Sequence, residues 1–125
     1  MLALMLEWHL AHVRVLVVNV PRLLRDVMSG IMAGDSEIEI VSEVSATNML
    51  NAIAALDPDV VVFGGENGDA GAEIARIGAK HPMLRVVAVD ADGRAATIHE
   101  PGMAARRVTD ISPLMMLSLI RGSAG

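Results

Sequence analysis

Two kinds of hydrophobic pattern alternate along this chain. Strands, marked by continuous or alternating apolar runs, are predicted over Val13–Val20, Glu37–Val44, Val60–Phe63 and Leu84–Val89. Helices, in which apolar residues recur about every 3.6 positions, are predicted over Pro21–Gly34, Ser45–Leu56 and Ala72–His81. This order implies parallel strands joined by right-handed crossovers, and hence an α/β fold with helices on both faces of the sheet.

The last third of the chain departs from this alternation. Asp92-Gly93 lies between two apolar runs, which is the strongest short-range signal of a β-hairpin. We therefore predict that Ala95–His99 is a strand that folds back on the preceding one. A short strand is expected at Ala105–Val108, and Ser112-Pro113 suits the start of a final helix that runs to Ile120.

The composition narrows the class of protein. A chain of 125 residues, 53% of them hydrophobic, favours one folded domain, which we place at residues 13–125 after an apolar extension over residues 1–12. The net charge of −5 is a poor match for nucleic acid. No apolar run approaches the length of a membrane span, and the N-terminus lacks the marks of a signal peptide, so we expect a cytoplasmic protein.

The high hydropathy and the small size of the chain together favour oligomerisation. The mean hydropathy is +0.48, and small domains bury a smaller fraction of their surface than large ones. The surplus apolar area is expected to become a contact with a partner.

The absence of cysteine excludes disulfides, thiolate catalysis and cysteine-based zinc sites.

Three segments carry a family resemblance: VRVLVVN, DSEIEIVSEVSATNMLNAIAALDPDVVVF and TDISPLMMLSLIRG. They resemble the first strand, the second to third strands with the DPDVVV signature, and the final helix of the response-regulator receiver domain. The resemblance covers Val13 to Arg121 except Asp90–Ala104. It implies a flavodoxin-like, three-layer α/β/α fold with a five-stranded parallel sheet of order 2-1-3-4-5, in which a β-hairpin replaces the fourth helix. It also implies a role in two-component signal transduction.

The resemblance further implies where phosphorylation chemistry would lie. Asn19 and Val20 stand where the family has its acidic pair, and Gly64 stands at the phosphoacceptor position. Asp90 stands at the position of the hydroxyl residue, and Thr109 stands at that of the lysine. Gly64 offers no nucleophile, and Asn19 offers only a neutral carbonyl where Mg²⁺ requires carboxylates. The charge of Asp90 would repel a phosphoryl group. We therefore expect a degenerate receiver that is not an enzyme and needs neither metal nor cofactor, and we expect no output module to follow it.

A second hypothesis is a small-ligand module, because ligands of open α/β sheets bind beyond the carboxyl ends of the strands. The residues that this hypothesis places at the rim of such a site are Asn19, Gly65, Glu66, Asn67 and Asp90. The simpler interpretation of the same residues is a solvated rim whose glycines allow turns. An enzyme is the weakest hypothesis: His99-Glu100 is the nearest to an acid–base pair, but adjacent strand residues point to opposite faces.

The leading hypothesis is a phosphorylation-independent module that acts through protein contacts, as a homodimer or with a signalling partner. The candidate interface residues are Trp8, Arg106, Arg107, Met115 and Met116, since Arg is a frequent interface anchor and exposed Met suits adaptable contacts. An alternative for the two arginines is that one is solvated and the other pairs with Asp110. No nucleic acid and no membrane is expected as a partner.

Overall fold

The computed structural model describes residues 13–33, 37–65, 70–90 and 93–121. The strands are β1 (Val13–Val18), β2 (Ile38–Val44), β3 (Val60–Gly65), β4 (Arg85–Asp90), β5 (Ala95–His99) and β6 (Arg106–Thr109). The helices are α1 (Arg22–Ala33), α2 (Met49–Leu56), α3 (Ala70–Lys80) and α4 (Pro113–Arg121), and a 3₁₀ turn over Ala46–Asn48 precedes α2. The predicted extension with Trp8 lies outside the described residues, as do Glu66 and Asn67.

All six strands of the described ranges join one mixed sheet of order β2-β1-β3-β4-β5-β6. Strands β1 to β4 are parallel to their neighbours. Strand β5 is antiparallel to β4, and β6 is antiparallel to β5. The chain therefore has an α/β fold with a mixed sheet, in which the four strands of the predicted β-α-β-α-β-α-β run hold their expected places.

The hairpin prediction is confirmed, but the predicted five-stranded parallel sheet of order 2-1-3-4-5 is wrong. The return strand of a short hairpin pairs with the strand that precedes it, and Val89 accordingly lies opposite Ala96. Strand β5 thus occupies the place beside β4 that the last parallel strand was expected to take. The last strand, β6, moves one position outward and becomes an edge of the sheet.

Helices α1 and α4 cover one face of the sheet. Met28 and Met32 of α1, together with Met116 and Ile120 of α4, pack on this face. The strand residues beneath them include Val15, Val17, Val60, Val62, Val87, Val89, Ala96 and Ile98. Because side chains alternate between the two faces of a strand, this set defines the face that we call the α1/α4 face.

Helices α2 and α3 cover the opposite face. Met49, Ile53 and Ile77 supply the helical side chains, and all three are buried. The strand residues that they meet are Leu16, Val18, Val61, Phe63 and Val86. Strands β1 and β3 therefore have hydrophobic side chains on both faces, which explains their nearly uninterrupted apolar sequences.

The final helix is fixed at both ends. At its start, the backbone N–H of Met115 donates to Oγ of Ser112 over 3.1 Å, as expected for an N-cap serine. At its end, the guanidinium of Arg85 donates to the carbonyl oxygens of Leu119 and Ile120 over 2.7 and 3.1 Å. These contacts connect α4 to the beginning of β4.

Among the described helices, none is long and apolar enough to cross a membrane.

Candidate functional site

The carboxyl ends of β1, β3 and β4 meet at one edge of the sheet, which we call the carboxyl edge. Asn19 follows β1, Gly64 and Gly65 end β3, and Asp90 ends β4. Gly65 lies directly opposite Asp90 in the parallel register. The fold thus brings three of the predicted site positions, Asn19, Gly64 and Asp90, to neighbouring strand ends.

Gly64 lies directly against the backbone that follows β1. A Cβ atom built on Gly64 would lie 2.7 Å from Cα of Val20 and would overlap the carbonyl oxygen of Asn19. Both contacts are to backbone atoms, which cannot rotate away as a side chain would. Any side chain at this position would require the β1–α1 connection to move.

Asn19 holds that connection in place. Its φ of 55° is in the left-handed region, which Asn tolerates better than most residues. Its backbone N–H donates to the carbonyl oxygen of Val44 over 2.9 Å. Val20 is 7% exposed and belongs to the core of the α1/α4 face. The two residues at the predicted acidic-pair positions therefore present one amide and one buried valine.

Asp90 is paired with an arginine from the edge strand. Nη2 of Arg107 lies 2.7 Å from Oδ2 of Asp90, and both side chains are partly exposed. The ion pair crosses β5, because Arg107 lies opposite Thr97, which lies opposite Ala88. The partner found for Arg107 is thus Asp90, where the sequence offered Asp110 as a partner for one of the two arginines.

Thr109, at the predicted lysine position, ends β6 and is exposed. The hairpin strand separates β6 from β4. Neighbouring strands are about 4.8 Å apart. Strand β6, which carries Thr109, therefore lies about two strand spacings from β4, which carries Asp90.

The predicted ligand rim is only partly within the described residues. Asn19, Gly65 and Asp90 lie at the carboxyl edge. Glu66 and Asn67 lie outside the described residues. The carboxylate of Asp90 is already engaged by Arg107, so a ligand there would have to replace that partner.

The predicted interface residues divide into two groups. Arg106 and Arg107 are exposed on β6, and Met115 is 39% exposed on α4. Met116, however, is 5% exposed and packs in the core, so its assignment to the surface is wrong. Adjacent residues on a helix are separated by about 100°, so Met115 turns outward where Met116 turns inward.

His99 and Glu100 point to opposite sides of the sheet, as predicted. Glu100 lies 3.3 Å from the guanidinium of Arg85. His99 is half-buried, and burial lowers its pKa below the ordinary value of 6.5. They do not form an acid–base pair. No cluster of three or more potential metal ligands is present among the described residues.

A cavity of about 440 Å³ opens between α1, β1 and β2, beside the carboxyl edge. Its polar lining comes from Asn19, Arg25, Glu43 and Ser45. Nε of Arg25 lies 2.8 Å from Oε1 of Glu43. Sequence reasoning did not identify this cavity, because Arg25 and Glu43 are far apart in sequence and only the fold brings them together.

The close approach at Gly64 was also missed, although the sequence contained a signal for it. Two consecutive glycines end β3, and glycine within a strand often marks a site where another backbone comes close. No sequence signal indicated that Arg85 reaches the end of α4 or that Arg107 reaches across β5.

Receiver domains of response regulators are among the solved structures similar to this chain. The isolated receiver domain of RcsB from Salmonella enterica serovar Typhimurium matches with a TM-score of 0.56 and 16% identity, over 63% of this chain and 62% of that chain. The receiver domain of NarL from Mycobacterium tuberculosis matches with a TM-score of 0.53 and 25% identity, over 64% and 67% of the two chains.

A third match is RcsB from the same Salmonella bound to a promoter, with a TM-score of 0.57 and 16% identity, over 66% of this chain and 44% of that chain. The chain thus spans about three fifths of the isolated RcsB receiver domain and less than half of the promoter-bound protein. No family model matches the chain, and no curated protein is similar to it. The structural matches support a receiver-like fold.

Proposed function

We propose that this chain is a receiver-like signalling module that works without phosphorylation, through contacts between two copies and with a signalling protein. It carries out no phosphoryl chemistry of its own. The observation that carries the proposal is the packing of the β1–α1 backbone against Gly64.

The packing at Gly64 removes the space that a phosphoacceptor would need. In the receiver family, the resemblance assigns this position to an aspartate. Here the backbone of Asn19 and Val20 fills the volume that even the first atom of a side chain would occupy. The loss of the phosphoacceptor is therefore accompanied by closure of its site, and a single substitution would not restore it.

The charges at the carboxyl edge support the same proposal. A divalent cation needs carboxylate oxygens, but Asn19 and Val20 provide none. The carboxylate of Asp90, at the end of β4, is paired with the guanidinium of Arg107. The edge thus has an exposed ion pair at the hydroxyl position and no carboxylate at the acidic-pair positions.

Incubation with Mg²⁺ and acetyl phosphate, followed by intact-mass measurement, tests this part of the proposal. A phosphorylatable receiver domain treated in parallel is the positive control. We expect that control to gain one phosphoryl group and this chain to gain none. A Mg²⁺-dependent phosphoryl adduct on this chain would overturn the proposal.

The contact between two copies is proposed to involve α1 and α4. Both helices begin at the carboxyl edge and lie side by side on one face. Among the described residues, Leu23 on α1 and Leu114 on α4 are 79% and 78% exposed, and Val27 is 52% exposed. Exposed apolar side chains concentrated on two neighbouring helices mark a protein-binding surface more often than scattered ones do. Met115 extends this surface toward Arg106 on β6.

RcsB provides a precedent for dimers with this fold, since one structure contains two RcsB dimers bound to two parallel DNAs. For the present chain, the net charge of −5 argues against a direct contact with DNA. We therefore propose the dimer and a protein partner, and not a nucleic acid.

Native mass spectrometry and light scattering test the dimer. We expect a dimer of 13.2 kDa chains, and the double substitution Leu23→Ser with Leu114→Ser should raise its dissociation constant about tenfold or more. The matched control is Met83→Ser with Met103→Ser, since these side chains are 80% and 67% exposed elsewhere on the surface. A monomer, or equal weakening by both pairs, would contradict the proposed surface.

A further inference from the structure

We propose that the cavity beside α1 binds a small aliphatic monocarboxylate, with Arg25 as its anchor. The cavity lies beside the carboxyl edge and shares Asn19 and Val20 with it, but it includes none of the residues of the proposed dimer surface. Its volume of about 440 Å³ falls within the range of small-molecule sites, which is about 300–1,000 Å³.

Arg25 is oriented so that it can bind a carboxylate. Its Nε contacts Glu43 over 2.8 Å, and no other ion pair or hydrogen bond occupies the guanidinium within the described chain. This leaves the two terminal nitrogens, whose parallel N–H groups match the two oxygens of a carboxylate. Glu43 thus holds Arg25 at the wall of the cavity before a ligand arrives, since the ion pair joins α1 to β2.

Two more polar side chains line the cavity. Ser45 precedes the 3₁₀ turn, but its hydroxyl makes no capping hydrogen bond. The amide of Asn19 is exposed and lies on the same wall of residues. Both groups are therefore able to donate a hydrogen bond to a ligand in the cavity.

The remainder of the cavity determines the class of ligand. Pro21 and Val44 form its apolar side, backed by the buried Val17 and Val20, and a short aliphatic chain can pack on this side. The charge of Glu43 offsets that of Arg25, so the site has little net positive charge to balance a dianion such as phosphate. A monoanion with an apolar tail matches both the apolar part of the lining and the small net charge of the site.

Titration of the isotope-labelled protein with sodium hexanoate, followed by amide NMR spectra, tests the inference. We expect saturable shifts that centre on the amides of Val17, Asn19 and Ser45. Hexanamide has the same chain but no charge, and inorganic phosphate has the charge but no chain. Both should bind about tenfold or more weakly than hexanoate. Hexanamide loses the charge that strengthens its hydrogen bonds, and phosphate has no chain to pack against the apolar lining.

Two substitutions on the same helix separate the anchor from general effects. Arg25→Gln should weaken hexanoate binding about tenfold or more. Arg22→Gln removes an exposed arginine that does not line the cavity and should leave binding unchanged. The spectra also report whether each variant is folded.

Three results would overturn the proposal. Shifts that centre on α4 would place the binding elsewhere, and equal binding of hexanamide would remove the role of Arg25. Equal binding of phosphate would assign the cavity to oxyanions in general. None of these outcomes bears on the acetyl phosphate or dimer experiments, so the two proposals fail independently.

Discussion

The guanidinium of Arg85 lies 3.3 Å from the carboxylate of Glu100, and both side chains are largely buried, at 19% and 17% exposed. The same guanidinium donates to the carbonyl oxygens of Leu119 and Ile120. One side chain at the start of β4 therefore joins the hairpin to the last turn of α4. A cation near the end of a helix also interacts favourably with the helix dipole.

Substitution Arg85→Met should lower the free energy of unfolding by about 2–3 kcal/mol, because it removes the ion pair with the largely buried Glu100 and the donor to the two carbonyls at the end of α4. The matched control is Arg76→Met, which breaks an exposed pair with Glu73 on α3 and should cost about 0.5 kcal/mol or less. Urea denaturation measures both. Equal effects of the two substitutions would show that the Arg85 contacts do not contribute.

Substitution Gly64→Ala should lower the free energy of unfolding by about 2 kcal/mol or more, because the new Cβ meets backbone atoms of Asn19 and Val20. Gly30→Ala is the control. Gly30 lies within α1, with open space where a Cβ would be, and alanine there should stabilise the protein by about 0.5–1 kcal/mol. If Gly64→Ala were tolerated as well as Gly30→Ala, the β1–α1 connection would not be packed as described.

The N-cap of α4 provides a third comparison. Ser112→Ala removes the acceptor for the N–H of Met115 and should cost about 1 kcal/mol. Ser45→Ala removes a hydroxyl at another helix start, where no capping hydrogen bond is made, and should be close to neutral. Thermal unfolding of the two variants provides the measurement. A larger loss for Ser45→Ala would contradict the assignment of the cap.

The stability should also depend on pH through His99. Burial lowers the pKa of His99 in the folded protein below 6.5, so the unfolded chain binds the proton more readily. Stability is then complete above pH 6.5 and falls as the pH decreases from 6.5 through the pKa of the folded state. The sign follows because the unfolded state holds more protons in that window.

Urea midpoints at about pH 7.5 and about pH 5.5 measure this effect, since most carboxylates titrate below that range. His99→Gln should reduce the difference between the two midpoints. An undiminished difference in His99→Gln would assign the pH dependence to other groups.

The sequence predicted most of the strands and helices, because each has the hydrophobic period of its structure. It also predicted the hairpin, since Asp92-Gly93 separates two apolar runs. The sequence did not predict the order of the strands. The position of β6 (Arg106–Thr109) in the sheet depends on whether another strand already pairs with β4, and a local hydrophobic pattern does not contain that information. The order 2-1-3-4-5 came from the family resemblance. That order requires a helix between the fourth and the last strand, where this chain has the hairpin strand β5.

The candidate site was less accessible to sequence reasoning. The positions of Gly64 and Asp90 at the ends of their strands followed from the pattern. The partners of these positions, namely the Asn19–Val20 backbone and Arg107, did not, because they depend on how distant segments pack. Met116 shows the same limit within one helix, since Met115 and Met116 are alike in composition and only the packing distinguishes them.

The return strand has a further consequence for how the chain folds. Val89 pairs with Ala96, only a few residues along the chain, whereas Val15 pairs with Val60. The entropy lost on closing a loop increases with its length, and local hairpins form in about 1–10 μs. The β4–β5–β6 meander thus lowers the contact order of the C-terminal half and is expected to fold early. The parallel pairs of the N-terminal half must close long loops, so their assembly is expected to limit the folding rate.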